Sequence, residues 1–140
     1  MAGGALCSAT PSRALTTFPP GTFNIDGVPA GCGNVPIILD TSMADVGMSG
    51  YGLIYLNPTH FEGLETGLRL WWLAHECAHH VVGPSELAAD CWSIRKGRDE
   101  GWFPPEMFGS MDRMFAHNHG DSEHPSGPVR VSHMRACYQS

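Results

Sequence analysis

The sequence contains very little lysine and no long hydrophobic run. Lys96 is the only lysine, and 8 Lys and Arg residues against 14 Asp and Glu residues give a formal net charge of -6 at pH 7. Nucleic acids and anionic membranes are bound by clustered positive charge, so neither is an expected partner. The longest apolar stretches, 35–39 and 70–74, are far shorter than the roughly 20 residues of a spanning helix. We therefore expect no membrane span.

Length and composition are typical of one small globular domain. The chain has 140 residues, of which 42% are hydrophobic, and this is enough for a modest core. Residues 1–20 are rich in Gly, Ala, Ser, Thr and Pro, a composition typical of a flexible arm. We expect such an arm over residues 1–20 and a single domain over residues 21–140, and the oligomeric state stays open.

The five cysteines make an odd count, so at least one thiol has no partner within the chain. This density favours an oxidising compartment, and therefore a secreted or periplasmic location over a cytoplasmic one. The sequence does not determine which cysteines pair. A pairing within the set of Cys77, Cys91 and Cys137 would tie the C-terminal segment to the helices of the candidate site described below.

Two short apolar segments in the first half of the chain have the pattern of β-strands. They cover residues 35–39 and 51–56, and each is bounded by turn-forming residues. The segment 43–50 between them contains Met and Gly and is predicted to be a connecting loop. The strand 51–56 is either an edge strand that pairs with an extended peptide substrate or an interior strand of the core.

The second half of the chain is predicted to be helical. Thr59 and Glu62 have the spacing of a capping box, which predicts a helix that begins at Thr59 and continues to Val82. Gly83-Pro84 ends this helix, and Ser85 is a candidate N-cap for the next. The predicted fold class is thus α+β, a short sheet packed on a long helix and on a second helix. The later helices are predicted over 86–98, 105–116 and 129–137.

The long helix carries the pattern His75-Glu76-x-x-His79, which is typical of zinc hydrolases. Residues four apart on a helix lie about 40° apart around its axis, so both imidazoles can bind one metal ion. Glu76 is about 100° from His75, close enough to contact a reacting water without being a ligand. Cys77 and His80 are directed away from this side of the helix, which favours packing or a disulfide for Cys77 and a structural role for His80.

A third protein ligand is expected on the second helix. Glu86 and Asp90 are also four residues apart, and a sharp reversal at Gly83-Pro84 would bring their side of the helix back over the two histidines. Glu86 is the predicted third ligand, and Asp90 is predicted to accept a hydrogen bond from a ligand imidazole. The exchange of these two roles stays open. So does the alternative in which both acids only favour the helix start through the helix dipole.

Further along the chain lie Gly101-Trp102, His124-Pro125-Ser126 and Arg130. Together with the two ligand motifs, they resemble the HtpX and CAAX prenyl protease type of zinc metallopeptidase, a gluzincin group. The resemblance covers roughly residues 54–130 and implies a zincin-like domain, Zn²⁺ as cofactor, Glu86 as ligand and Glu76 as catalytic base. Family members usually carry transmembrane helices and a longer segment between the two ligand motifs, which here is only residues 80–85. The matching residues are His75-Glu76-x-x-His79, Glu86-x-x-Ala89-Asp90, Gly101-Trp102, His124-Pro125-Ser126 and Arg130.

The predicted function is zinc-dependent hydrolysis, with a peptide or protein as substrate. Zinc lowers the pKa of its bound water and polarises the scissile carbonyl, and Glu76 takes and returns the proton. His124 is the candidate donor to the oxyanion, or else an ordinary loop histidine. Arg130 either orients the carboxylates or lies on the surface.

Two other functions stay open from the sequence alone. The metal could stabilise a small binding domain without catalysis, although Glu76 would then have no use. Alternatively, the substrate could be a non-peptide amide or ester, because attack by activated water does not depend on the groups that flank the carbonyl.

Overall fold

Strands come first along the chain and helices follow them. The structure is a computed structural model that describes residues 15–140, and it confirms the predicted α+β class. The strands are β1 (Leu15–Phe18), β2 (Asn24–Ile25), β3 (Val28–Pro29), β4 (Ile37–Asp40), β5 (Gly47–Gly50) and β6 (Leu53–Leu56). The helices are α1 (Pro58–Phe61), α2 (Thr66–Val82), α3 (Glu86–Glu100), a 3₁₀ turn (Pro105–Met107), α4 (Phe108–Phe115) and α5 (Gly127–Gln139).

The main sheet has the strand order β1-β4-β6-β5. Strands β4 and β6 are parallel, and each pairs antiparallel with the edge strand on its outer side. The two central strands carry the apolar residues of the sheet, and Ile37, Ile54 and Leu56 are almost fully buried. Strand β6 is therefore an interior strand. Of the two alternatives that the sequence left open for this segment, an edge strand and an interior strand, the second is the one observed.

Strand β5 corrects the predicted loop over residues 43–50. Gly47–Gly50 pairs with β6 along its whole length, although its Gly, Met and Ser residues have no strand pattern. The connecting residues Tyr51 and Gly52 have φ angles of 53° and 72°, the left-handed region that two-residue hairpin turns require. The predicted strand 51–56 consequently begins at Leu53.

The predicted arm over residues 1–20 includes residues that form a strand. Residues 1–14 lie outside the described residues, but Leu15–Phe18 forms β1 and pairs with Ile37–Asp40. This pairing satisfies the backbone of residues that local composition alone assigns to an arm. Residues 15–18 thus belong to the domain that is predicted to start at residue 21.

The long helix predicted from Thr59 to Val82 is divided into α1 and α2. Asn57, rather than Thr59, caps α1, because its side-chain oxygen accepts a hydrogen bond from the Thr59 amide at 3.0 Å. The chain then leaves helical geometry, and α2 begins at Thr66 after the extended residue Glu65. Gly63, a weak helix former, lies in this break.

Helix α2 lies between the sheet and the remaining helices, so it is buried on two sides. Toward the sheet, Leu73 and Cys77 pack with buried residues of β4 and β6. On the opposite side, Trp71 packs with Phe103 and Met134, among others, in a second apolar cluster. Because most of α2 is inaccessible to water, the polar side chains it carries into the interior need partners there.

Two disulfide bonds link the helices to other parts of the fold. Cys32–Cys77 ties the loop before β4 to α2, and Cys91–Cys137 ties α3 to α5. The expectation that Cys77 packs or forms a disulfide is confirmed, and so is a pairing between Cys91 and Cys137. Within residues 15–140, no helix has both the length and the apolar character needed to cross a bilayer.

Candidate metal centre

The reversal between α2 and α3 brings Glu86 onto the two histidines. Gly83 ends α2 with a φ of 90°, and the Ser85 hydroxyl caps α3 by accepting a hydrogen bond from the Ala88 amide at 3.2 Å. The third helix therefore packs back along the second, as the turn residues predict. The turn is what allows only six residues to separate His79 from Glu86.

The three predicted ligands converge on one point. The two Nε2 atoms of His75 and His79 are 3.2 Å apart. Glu86 places one carboxylate oxygen 3.1 Å from His75 Nε2 and the other 3.2 Å from His79 Nε2. A tetrahedral ion with bonds of about 2.0–2.1 Å separates neighbouring ligand atoms by about 3.3–3.4 Å. The donor set and its spacing therefore fit a metal ion held at this point.

Both ligand imidazoles are oriented through their other nitrogen. His75 Nδ1 lies 2.8 Å from Asp90 Oδ1, and His79 Nδ1 lies 2.9 Å from the Gly83 carbonyl oxygen. A carbonyl oxygen only accepts, so His79 Nδ1 is the nitrogen that carries the hydrogen. In the neutral form of each ring, this leaves the Nε2 lone pair directed at the common point, which is the usual arrangement around a metal-bound histidine.

Asp90 is held by Arg130 and is not one of the converging donors. Arg130 Nε and Nη2 each donate to a different Asp90 oxygen at 2.8 Å, and both residues are almost fully buried. The exchange of roles between Glu86 and Asp90 is thus disfavoured. Arg130 Nη2 also lies 3.7 Å from Glu86 Oε2. Arg130 therefore lies beside the carboxylates and not on the surface, the two positions that the sequence left open.

Glu76 lies beside the three donors without belonging to them. Its Oε1 is 3.9 Å from His75 Nε2, and only 5% of the residue is exposed. Burial raises the pKa of the Glu76 carboxyl, and the neighbouring histidines oppose this increase. A Cβ added at Gly47 would lie 3.0 Å from Glu76 Cγ, so the edge strand β5 passes directly over this carboxylate.

His124 lies at the rim of the site and is paired with an acid that the sequence analysis missed. Its Nδ1 is 2.9 Å from Asp121 Oδ1, and its Nε2 is 3.9 Å from Glu86 Oε1. The hydrogen bond to Asp121 raises the pKa of His124. The one sequence feature that points to Asp121 is its position three residues before His124 in a Gly-containing loop. Such a spacing is too common to identify a functional acid.

The ionisable groups of the centre compensate one another in the absence of a metal. Burial lowers the pKa of His75, but Asp90 and Glu86 more than reverse this and raise it to about 9. The pKa of His79 is raised, chiefly by Glu86, and the hydrogen bonds from both histidines hold the pKa of Glu86 well below its usual range. Protons therefore compete directly with a metal ion for the two imidazoles.

The centre opens onto a cleft with a volume of about 1100 Å³. One wall is strand β5, whose outer edge has no strand beside it among residues 15–140. This strand is held to α2 by His80, whose Nε2 lies 2.6 Å from Ser49 Oγ and 3.2 Å from the Leu53 carbonyl oxygen. These contacts agree with the structural role predicted for His80.

A second group of potential metal donors is formed by Cys91, His133 and Cys137. The two cysteines of this group are bonded to each other as a disulfide, so neither offers a thiolate. Of the two groups found among residues 15–140, the group at His75, His79 and Glu86 is therefore the one whose donors are available.

Comparison with protein-family models, with curated proteins and with solved structures gave no match. The resemblance to the HtpX and CAAX prenyl protease type thus stays a prediction. What the site can do chemically has to be inferred from its own geometry.

Proposed function

We propose that this protein is a zinc-dependent metallohydrolase that cleaves peptide bonds. The observation that carries the proposal is the convergence of His75, His79 and Glu86, with Glu76 beside them as a buried acid that is not one of the donors. Three protein ligands leave a fourth position open, as in catalytic zinc sites, whereas structural sites are closed by four protein ligands. Zn²⁺ in this position would polarise the scissile carbonyl and activate a water.

The proton transfers fall to Glu76. Its buried position raises its pKa, which makes it a better base than a carboxylate in water and a usable acid in the next step. Glu76 accepts the proton of the attacking water and delivers it to the leaving amine. A purely structural metal site has no need of this carboxylate, so its position argues against a non-catalytic binding domain.

His124 contributes positive charge near the reacting carbonyl, and Arg130 positions one of the metal-binding histidines. Because the pKa of His124 is raised by Asp121, its protonated form persists to higher pH and can donate a hydrogen bond to an oxyanion. Arg130 acts indirectly, because its two hydrogen bonds to Asp90 orient the carboxylate that orients His75.

The edge strand favours a peptide over other amides and esters. The outer backbone groups of Gly47–Gly50 can pair with an extended chain, which gives affinity with little dependence on sequence. The same strand passes over Glu76, so a peptide paired with it would cross the metal group. The cleft is also open to solvent rather than closed around a small molecule.

The test is cleavage of unfolded casein and of a quenched peptide library by zinc-loaded protein and by Glu76→Gln. Both proteins should carry the same amount of zinc, because Glu76 is not a ligand. We expect the parent to cleave these substrates and the variant to cleave them at least about 10³-fold more slowly. A loss of this size lies in the upper part of the range for removal of a general base and is smaller than the loss of a whole catalytic centre. Equal zinc contents with no cleavage by either protein would contradict the peptidase proposal.

A further inference from the structure

The disulfide bond between α3 and α5 has a histidine beside it. His133 Nε2 lies 3.6 Å from Cys137 Sγ. The ligand atoms of Cys91, His133 and Cys137 all lie within 4.8 Å of one another. We call these three residues the Cys-His cluster. Its two sulfur atoms are bonded to each other, so they become metal ligands only when this bond is reduced.

The spacing of the Cys-His cluster matches that of a zinc site. Zinc–sulfur bonds of about 2.3 Å and zinc–nitrogen bonds of about 2.0–2.1 Å place the sulfur and nitrogen ligands of a tetrahedral ion about 3.5–3.6 Å apart. The distance between His133 Nε2 and Cys137 Sγ already has this value. The two residues are four apart on α5 and therefore lie on one side of the helix. The remaining requirement is that the two sulfur atoms separate, which reduction permits.

Contacts other than the disulfide hold α3 against α5. Arg130 on α5 donates two hydrogen bonds, each of 2.8 Å, to Asp90, the residue before Cys91. Arg95 Nε on α3 donates to the Cys137 carbonyl oxygen at 3.2 Å. The Cα atoms of Cys91 and Cys137 are 5.4 Å apart. Because these hydrogen bonds do not depend on the disulfide, we expect the two cysteines to stay close together after reduction.

The disulfide of the Cys-His cluster is the more accessible of the two. Cys91 is only partly buried and lines a surface cavity of about 500 Å³. In the other disulfide, Cys32 and Cys77 are only 8% and 6% exposed. A small reductant in solution therefore reaches Cys91 before it reaches the disulfide between the sheet side and α2.

Reduction by a dithiol and the binding of zinc account for all electrons and protons. One thiolate of the dithiol attacks the Cys91 sulfur, forms a mixed disulfide and releases Cys137. The second thiol then closes the disulfide of the reagent and releases Cys91, so two electrons pass from the dithiol to the protein. Zinc binding displaces the protons of the two cysteine thiols into solvent, and neutral His133 supplies the third donor.

We propose that Cys91, His133 and Cys137 form a second zinc site when their disulfide is reduced. Two thiolates and one imidazole are ligands that zinc prefers. The zinc ion then replaces the disulfide as the link between α3 and α5. Asp90 and Arg130, which lie on these two helices and position His75, thus stay together in both redox states. The proposal does not depend on the proposed hydrolysis.

The test compares metal binding by the oxidised and the reduced protein. The protein is reduced with a phosphine in the absence of oxygen, because a dithiol would itself bind zinc, and the phosphine is then removed. Reduction of one disulfide is verified by the gain of two titratable thiols. We expect one zinc per chain in the oxidised protein and two in the reduced protein.

Cobalt identifies which residues bind the second ion. Thiolate ligands give Co²⁺ an intense charge-transfer absorption in the near ultraviolet, whereas imidazole and carboxylate ligands do not. The donors His75, His79 and Glu86 include no thiolate, so this absorption should appear only after reduction. The Cys91→Ser/Cys137→Ser variant keeps the other three cysteines and should lose the absorption.

A histidine variant tests the cluster without removing the disulfide. His133→Gln should leave the fold and the zinc content of the oxidised protein unchanged, since the disulfide stays in place. In the reduced protein it should weaken binding of the second zinc by about 100-fold or more, because one of three protein ligands is lost. His117→Gln is the matched control, since His117 is an exposed histidine outside the cluster, and it should bind both zinc ions.

The outcomes distinguish this site from the centre on α2. One zinc in both redox states would support the centre on α2 and overturn the second site. One zinc that appears only after reduction would contradict the centre on α2 and support the second site. A thiolate absorption that persists without Cys91 and Cys137, or equal affinity in His133→Gln, would also overturn the proposal. So would a fold that is lost on reduction, as seen by circular dichroism, and that zinc does not restore.

Discussion

At the scale of single residues, the centre is built from side chains that each have two partners. Each ligand histidine uses one nitrogen for the common point and the other for an acceptor. Asp90 accepts from Arg130 through both of its oxygens and faces His75 Nδ1 with one of them, Oδ1. The spacing of the HExxH pattern is enough to predict the ligands on α2, because it is a property of one helix. Asp121 could not be predicted in this way, because its role depends on where a loop places His124.

The Asp90–Arg130 pair offers a direct test of how the groups behind the ligand histidines contribute to the centre. We expect Asp90→Asn to weaken zinc binding by about 10- to 100-fold, because His75 loses the negatively charged acceptor beside its Nδ1. The variant should also lose about 3–5 kcal/mol of unfolding free energy, because the Arg130 charge is left buried without its partner. Zinc affinity is measured by competition with a chromophoric chelator and stability by urea unfolding.

Asp112 provides the matched control for this variant. It forms a similar two-bond pair with Arg135, at 2.6 and 3.0 Å, but both side chains are nearly half exposed. Asp112→Asn should change stability by less than about 1 kcal/mol and leave zinc binding unchanged. Similar losses in the two variants would show that the buried pair has no special role.

The pair of Asp121 and His124 predicts a shift in the pH profile. Asp121→Asn removes the negative charge of the acceptor that raises the pKa of His124, so the alkaline limb of kcat/KM should move to lower pH. His124→Ala should lower kcat/KM by about 10²-fold with zinc affinity unchanged. An unchanged pH profile of kcat/KM in Asp121→Asn would show that the protonation of His124 plays no part in catalysis.

Proton competition at His75 predicts how zinc affinity depends on pH. A histidine must be neutral to bind zinc, and in the metal-free protein the pKa of His75 is about 9. Affinity should therefore rise steadily between pH 6.5 and 9, by about tenfold per pH unit for each proton released. Affinity that is constant over this range, measured by chelator competition, would contradict the described hydrogen bonds.

The same shift affects the stability of the metal-free protein in the opposite direction. The folded-state pKa of His75 is above the ordinary histidine value of 6.5, so protonated His75 stabilises the fold fully below pH 6.5. This contribution is lost as the pH rises through about 9. The difference in stability between zinc-loaded and metal-free protein should accordingly widen with pH, as measured by urea unfolding of both forms.

At the scale of elements, local patterns identify α3 and the turn before it but not the sheet edge. The signals lie within a few residues of each other: Gly83 ends α2, Ser85 caps α3, and Glu86 is the first residue of α3. The strand Gly47–Gly50 has no such signal, because its pairing with Leu53–Leu56 and its packing over α2 are what make it a strand. The break between α1 and α2 was missed for a related reason, since the apolar spacing continues across it.

The link between α3 and α5 should contribute measurably to stability. Cys91–Cys137 closes a segment with a sequence separation of 46 residues and lies one residue after Asp90. In the chain-entropy account of disulfides, a loop of this length corresponds to about 4 kcal/mol. The double variant Cys91→Ser/Cys137→Ser should lose a comparable amount in urea unfolding, and zinc binding should partly restore its stability because zinc binds the folded form.

At the scale of the whole molecule, one helix connects all parts of the proposed function. Helix α2 is buried between the sheet and the other helices, carries two donors and the acid, and is fixed to the loop before β4 by Cys32–Cys77. The sheet supplies the open edge at β5, and α3 and α5 supply Glu86 and Arg130. The fold class follows from the composition and order of the segments, whereas the cleft requires contacts between segments far apart in sequence.

The most direct measurement is the zinc content of the parent protein and of Glu86→Gln after equilibration at a series of buffered free-zinc concentrations. The account predicts one zinc per chain in the parent and an affinity at least about 100-fold lower in the variant, because one of three protein ligands loses its charge. Asp112 belongs to the exposed pair with Arg135 and is not one of the groups of the centre. The Asp112→Asn variant should therefore bind zinc with the same affinity as the parent. A parent that binds no zinc, or binds it equally well without the Glu86 carboxylate, would contradict the metal centre.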